Sequence, residues 1–81
     1  MSWVSVIDPS ARKGLANFPA KDRERIIDII EKEMCLDPFS GDILKMSGED
    51  SWRRRIGNYR IEYELYKEDG RDSCIFNRTS H

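Results

Sequence analysis

Cysteine and histidine are scarce in this chain. The two cysteines, Cys35 and Cys74, lie far apart and match no metal-ligand spacing, and the single histidine, His81, is the last residue. That pattern supports neither a zinc site nor a disulfide framework. No apolar run approaches the roughly 20 residues needed to cross a bilayer, and the N-terminus lacks the basic-then-apolar order of a secretory leader. A cytoplasmic protein without membrane contact is therefore expected. An excess of charge is missing too: 14 lysines and arginines stand against 15 aspartates and glutamates, a formal net charge of −1. A simple nucleic-acid binder would carry a strongly basic balance. No repeat, low-complexity tract or linker interrupts the 81 residues, which read as one domain, 1–81, with a small core.

What the chain does have is an uneven distribution of charge. Acids gather between Asp22 and Asp37 and again between Glu62 and Asp72, whereas Ser51 to Ile61 holds four arginines and no acid. A guanidinium stays charged at physiological pH and presents a planar fork of donors, which suits phosphate oxygens. Such a local patch attracts anions whatever the net charge. A solvated basic strand is the alternative.

Periodicity assigns the elements. Trp3 to Ile7 reads as a strand with Trp3, Ser5 and Ile7 on one face and Val4 and Val6 on the other. Asp8 caps a first helix with Pro9 at its first position, and Ala11, Leu15 and Phe18 form its apolar stripe before Pro19 ends it. Gly14 weakens that helix slightly. A second helix is expected from about Lys21 to Cys35, with Ile26, Ile27, Ile30 and Met34 inward and an Asp28–Lys32 pair on the exposed face. Asp37 to Gly41 stops it as a loop, after which Ile43, Leu44 and Met46 pack back on the body, and Ser47 to Asp50 turns the chain.

From Ser51 the period becomes two. Trp52, Arg54 and Ile56 point one way and Arg53 and Arg55 the other; Gly57-Asn58 makes a hairpin turn. In the next strand, Tyr59 to Tyr66, the residues Ile61, Tyr63 and Leu65 take the core face, so Arg60 shares its face with Arg53 and Arg55, together with Glu62 and Glu64, which can pair with the arginines. Arg54 is left to brace the fold. A turn from Lys67 to Arg71 and a strand from Ser73 to Arg78 complete the order β-α-α-β-β-β. The expected fold is α+β, an antiparallel sheet with a two-helix hairpin packed on one face. Trp52 and Tyr59 could stack on unpaired bases, but at strand spacing they fit the core better. Both cysteines read as small inert hydrophobes.

Over essentially its whole length the chain resembles the RelE/ParE toxin superfamily of toxin-antitoxin systems. The resemblance is carried by the Trp-containing first strand, the helix hairpin broken at Phe18-Pro19, Asp37-Pro38-Phe39, Leu44-Lys45, and above all Trp52-Arg53-Arg54-Arg55-Ile56-Gly57-Asn58-Tyr59-Arg60-Ile61-Glu62-Tyr63. It implies a RelE-like mRNA interferase: an endonuclease that enters the ribosomal A site, cuts mRNA through attack of the ribose 2′-OH on the adjacent phosphate without a metal or other cofactor, and is held inactive in a complex with a cognate antitoxin. Arg60 matches the arginine that clamps the scissile phosphate, and Arg55 and Arg53 match the alternating basic positions of the preceding strand. Lys45 and Arg78 are expected on backbone phosphates, and Asp42 lies near a glutamate proposed as base in certain members.

His81 stands in for the family histidine, whose near-neutral pKa suits protonation of the leaving 5′-oxygen. The resemblance also implies an aromatic residue after that histidine, which this sequence lacks, so a shortened tail and a weakly active or silent toxin are among the expectations. So are two alternatives to the nuclease: a ParE-like gyrase poison, and a homologue that mainly binds an antitoxin.

Overall fold

The computed structural model describes residues 3–46, 51–68 and 71–80. The first strand, β1 (Val4–Ile7), leaves Val4 and Val6 exposed and turns Ser5 and Ile7 inward. Asp8 ends it and starts α1 (Pro9–Ala16): the Asp8 carboxylate accepts from the Ser10 amide at 3.0 Å, and Pro9 sits where its missing N–H costs nothing. Ala11 and Leu15 are buried, with Phe18 just beyond the helix end. Gly14 has a packing role that helix propensity does not reveal. A Cβ there would overlap the Thr79 side chain and come within 2.7 Å of its carbonyl oxygen, so glycine lets α1 lie directly on the last strand. Thr79 secures that contact by donating its hydroxyl to the Ala11 carbonyl at 2.9 Å.

The second helix, α2 (Ala20–Ile29), continues as a π-helical turn over Ile30–Met34. Ile26, Ile30 and Met34 are buried, Ile27 is partly so, and Lys32 pairs with Asp28 at 2.9 Å on the solvent side. The remaining strands are β2 (Asp42–Lys45), β3 (Ser51–Ile56), β4 (Tyr59–Glu68) and β5 (Arg71–Ser80), in the sheet order β1-β5-β4-β3-β2. The expected turn over Ser47 to Asp50 lies outside the described residues.

The α+β class and the helix layer follow expectation, while the sheet differs in two respects. It is mixed, because β1 runs parallel to β5 while every other pair is antiparallel. Joining β1 to a partner at the far end of the chain requires a long crossover, here through the helices and three strands, and a crossover can deliver parallel strands where a hairpin cannot. It also has a fifth strand: Asp42–Lys45, read from the sequence as chain packing back on the body, pairs with β3 as the edge of the sheet.

One face of the sheet packs on the helices. Ile56, Ile61, Tyr63, Leu65, Cys74 and Phe76 meet Ala11, Leu15, Phe18, Ile26, Ile30 and Met34 in one cluster. Arg54 belongs to this side and is 7% exposed. Its guanidinium lies 3.3 Å from Glu33 Oε1 and 3.3 Å from Ser40 Oγ, joining the π-helical turn to the loop before β2. Gly41, at φ 81°, passes against that guanidinium; a Cβ there would fall 2.7 Å from it. Tyr63 ties down the same loop by donating to the Pro38 carbonyl at 2.5 Å. Arg54 thus braces the fold, as the alternation from Trp52 to Ile56 implies.

Candidate functional site

Among the described residues the other face of the sheet carries no helix, and the pleat sends Arg53 and Arg55 to it from β3 and Arg60 from β4. The β3–β4 register puts Arg55 opposite Arg60 and Arg53 opposite Glu62, which confirms the shared face expected from alternation. On the far side of β3, Asp42 stands opposite Arg55 and Leu44 opposite Arg53. Together with Ile43, these residues and Arg60 line a shallow concavity of about 300 Å³. Beside it, Arg55 and Arg60 also border a hollow of about 220 Å³ at the hairpin turn, formed with Gly57, Asn58 and Tyr59.

Arg78 reaches this face by a different device. From Cys74 and Phe76, which point inward, strict alternation would send Arg78 into the core. The β4–β5 register instead shifts between Glu62 and Tyr63: Phe76 pairs with Tyr63 and Arg78 with Glu62, leaving Asn77 as an extra residue. A bulge of this kind reverses the faces beyond it. Arg78 therefore emerges on the open face and Thr79 turns inward to Ala11.

Two carboxylates on the face, Glu62 and Glu64, are already engaged. Glu62 Oε2 lies 3.6 Å from the Arg78 Nε, while Glu64 accepts from Asn77 Nδ2 at 2.9 Å and from the Tyr66 hydroxyl. Arg53, Arg55 and Arg60 form no ion pair among the described residues, and the one side-chain bond among them runs from Arg55 Nε to the Gly57 carbonyl at 3.3 Å. Like charges placed directly opposite on a sheet repel. The Arg55–Arg60 pair is thus a place where an anion would relieve an unfavourable arrangement.

Other residues singled out from the sequence sit elsewhere. Lys45 lies opposite Trp52, on the helix side of the edge strand, with Nζ 5.8 Å from the Trp52 ring centre, so it does not join the arginine face. Trp52 packs edge-on to Phe39 at 5.1 Å. Tyr59 has its ring against Phe18 at 4.3 Å and donates its hydroxyl to Asp22 at 2.6 Å, a bond that raises the phenol above its ordinary pKa. Both aromatics fit the core reading better than that of stacking platforms. His81 lies outside the described residues.

Asp42 gains most from the structure. Only its pairing in β2 shows that it faces Arg55, and four residues of alternation, Asp42 to Lys45, are too short a signal to reveal that strand. Among the described residues no group of three or more His, Cys, Asp or Glu is placed to hold a metal ion, and no helix is long and apolar enough to cross a membrane.

A two-helix layer on one side of a five-stranded mixed sheet, with an arginine face on the other, defines a small α+β protein built to present that open face. Solved structures share the arrangement. The RelBE2 toxin-antitoxin complex from Mycobacterium tuberculosis matches at a TM-score of 0.85 and 17% identity, over 100% of this chain and 99% of that chain. The RelB–RelE complex from Methanococcus jannaschii matches at 0.72 and 32% identity, over 94% and 88%. The archaeal RelE–RelB complex from Pyrococcus horikoshii OT3 matches at 0.72 and 23%, over 99% and 94%. No protein-family model matches the sequence, and the search of curated proteins returned no match. The identity and coverage shared with the Methanococcus jannaschii structure show that this chain belongs to the RelE toxin family.

Proposed function

We propose that this protein is the toxin of a toxin-antitoxin pair and that it cuts mRNA in the ribosomal A site. The antitoxin partner is supported by the matching structures, which are complexes of RelB with RelE. The nuclease reading rests on one observation: Arg55 faces Arg60 across the hairpin, with Arg53 beside them, and none of the three forms an ion pair among the described residues.

In this reading the scissile phosphate sits between Arg55 and Arg60. The ribose 2′-oxygen attacks phosphorus, the phosphorane gains negative charge, and the two guanidinia stabilise it where it develops. Asp42, beside Arg55 in the same concavity, accepts the 2′-proton. The bond from phosphorus to the 5′-oxygen then breaks, leaving a 2′,3′-cyclic phosphate, and His81 supplies the proton that turns the leaving oxygen into a 5′-OH. Arg53 and Arg78 hold the neighbouring backbone, and Lys45, from the other side of the edge strand, contributes at longer range. Ribosomes place this work in the cytoplasm.

The test is to map 5′-OH ends on mRNA in programmed ribosomes treated with the protein. Arg60→Ala should lower cleavage by about 100-fold or more, the usual effect of removing one donor to a developing oxyanion. An absence of 5′-OH products from wild type would leave a gyrase poison or a silent antitoxin-binding homologue. Undiminished cleavage by Arg60→Ala would remove that residue from the mechanism.

A further inference from the structure

The hollow at the hairpin turn shares three lining residues with another cleft. Gly57, Asn58 and Tyr59, which border Arg55 and Arg60 on one side, also line a cleft of about 180 Å³ on the other, closed by Asp22 and Arg25 of α2. Three adjoining concavities thus run from Asp42, past Arg55 and Arg60, around the turn, to Arg25. At the turn shared by the second and third, Gly57, at φ 59°, has no described residue beyond its chain neighbours within 4 Å of where a Cβ would stand.

The cleft has fixed and free polar groups. Asp22 is held by the Tyr59 hydroxyl at 2.6 Å, and Tyr59 is in turn held by Phe18, so the carboxylate has a set position and spare lone pairs. Arg25 is exposed and forms no ion pair among the described residues, although Asp22 lies one turn earlier on the same helix. An unpaired guanidinium beside a fixed acceptor, at the end of a groove that begins with three arginines, matches the alternation of phosphate and donor-bearing base or ribose along an RNA strand.

We propose that the RNA track continues around the β3–β4 turn and that this cleft takes one nucleotide flanking the cut, with Arg25 on its phosphate and Asp22 accepting from its base or ribose. The proposal rests on the nuclease reading, and the experiment is designed to separate the two. Programmed ribosomes are prepared with mRNA carrying a single uncharged methylphosphonate, placed one linkage to either side of the cut in turn. At one of the two positions the neutral linkage should lower wild-type kcat/KM about tenfold, the scale of one charged hydrogen bond. Arg25→Ala should lose about the same factor on native mRNA and nothing further on that modified mRNA, as expected when both changes delete one contact.

Arg25 is exposed and away from the core, so the variant should unfold at the wild-type denaturant concentration. If wild type cleaves native mRNA and Arg25→Ala cleaves it equally fast, or if its loss multiplies with that of the neutral linkage at both positions, the flanking subsite is wrong and the nuclease reading stands. If wild type cleaves nothing, both fall.

Discussion

Glu62 is the residue on which the strength of the arginine face depends. It stands opposite Arg53 on one side and Arg78 on the other, and its carboxylate already occupies Arg78. An incoming phosphate must compete with it. With Arg78 well exposed, the pair contributes little to stability, at most about 1 kcal/mol. Glu62→Gln should therefore leave the unfolding midpoint nearly unchanged while lowering the ribosome-complex KM several-fold, read from cleavage kinetics at low salt. An unchanged or raised KM would show that Glu62 holds Arg78 in a useful position instead of masking it.

Gly41 is the contrasting case, a residue whose importance is structural. Its positive φ and the guanidinium of Arg54 behind it leave no room for a side chain. Gly41→Ala should cost about 2 kcal/mol or more, from left-handed backbone strain and displacement of a buried charge, and should be visible as a lowered denaturant midpoint. Alternation marked Arg54 as inward-facing, but its Glu33 and Ser40 partners come from segments distant in sequence, which no local pattern specifies.

At the scale of elements, legibility followed the length of the periodic signal. The strand from Ser51 to Ile56, the hairpin at Gly57-Asn58 and the inward set Ile61, Tyr63 and Leu65 repeat over enough residues for period two to fix the faces, and with them the Arg53, Arg55 and Arg60 surface. The helix stripes at Ala11, Leu15, Ile26, Ile30 and Met34 were equally plain. The four residues of β2 were not, because an edge strand pairs on one side only and Asp42 to Lys45 alternates too briefly. The parallel β1–β5 pairing is settled by tertiary packing at both ends of the chain.

The bulge at Asn77 was likewise hidden, since one extra residue in a strand leaves composition unchanged and reverses everything beyond it. Deleting Asn77 should remove the bulge and restore strict alternation with Arg78 still opposite Glu62 on the open face and Thr79 still turned inward to the Ala11 carbonyl. The loss is limited to the Asn77 bonds with Ser10 and Glu64, so stability should fall by only about 1 kcal/mol, read from the unfolding midpoint. A loss of several kcal/mol would show that the bulge itself is needed to seat Arg78 and Thr79 on their two faces.

The whole molecule separates its charges by layer. Acids such as Glu24, Asp28 and Glu31 lie exposed on the helix side, while Arg53, Arg55, Arg60 and Arg78 occupy the opposite face of the sheet, so a net charge of −1 coexists with a basic working surface. Between the layers lie two groups that must stay neutral. Burial pushes the Cys74 thiol up to about 12 and, with Cys74 beside it, raises the Tyr63 phenol well above its ordinary range. Both are acids whose folded pKa exceeds the unfolded value, so their contribution to stability is fully present below the unfolded pKa and is lost as pH rises. For Cys74 the window runs from about 9, where the unfolded thiol ionises, to about 12. Within it the unfolded state releases a proton that the native state keeps, and stability should fall by up to about 1.4 kcal/mol per pH unit from this group alone.

Urea unfolding at pH 8, 10 and 11 should show that decline, and Cys74→Ala should make it shallower while lowering stability at pH 8 through the lost sulfur packing. Equal slopes in wild type and variant would assign the alkaline loss to Tyr63 and the surface. Cys35, partly exposed near the end of the helix layer, should react with thiol reagents well before Cys74 does, since Cys74 becomes accessible only when the sheet and helices part.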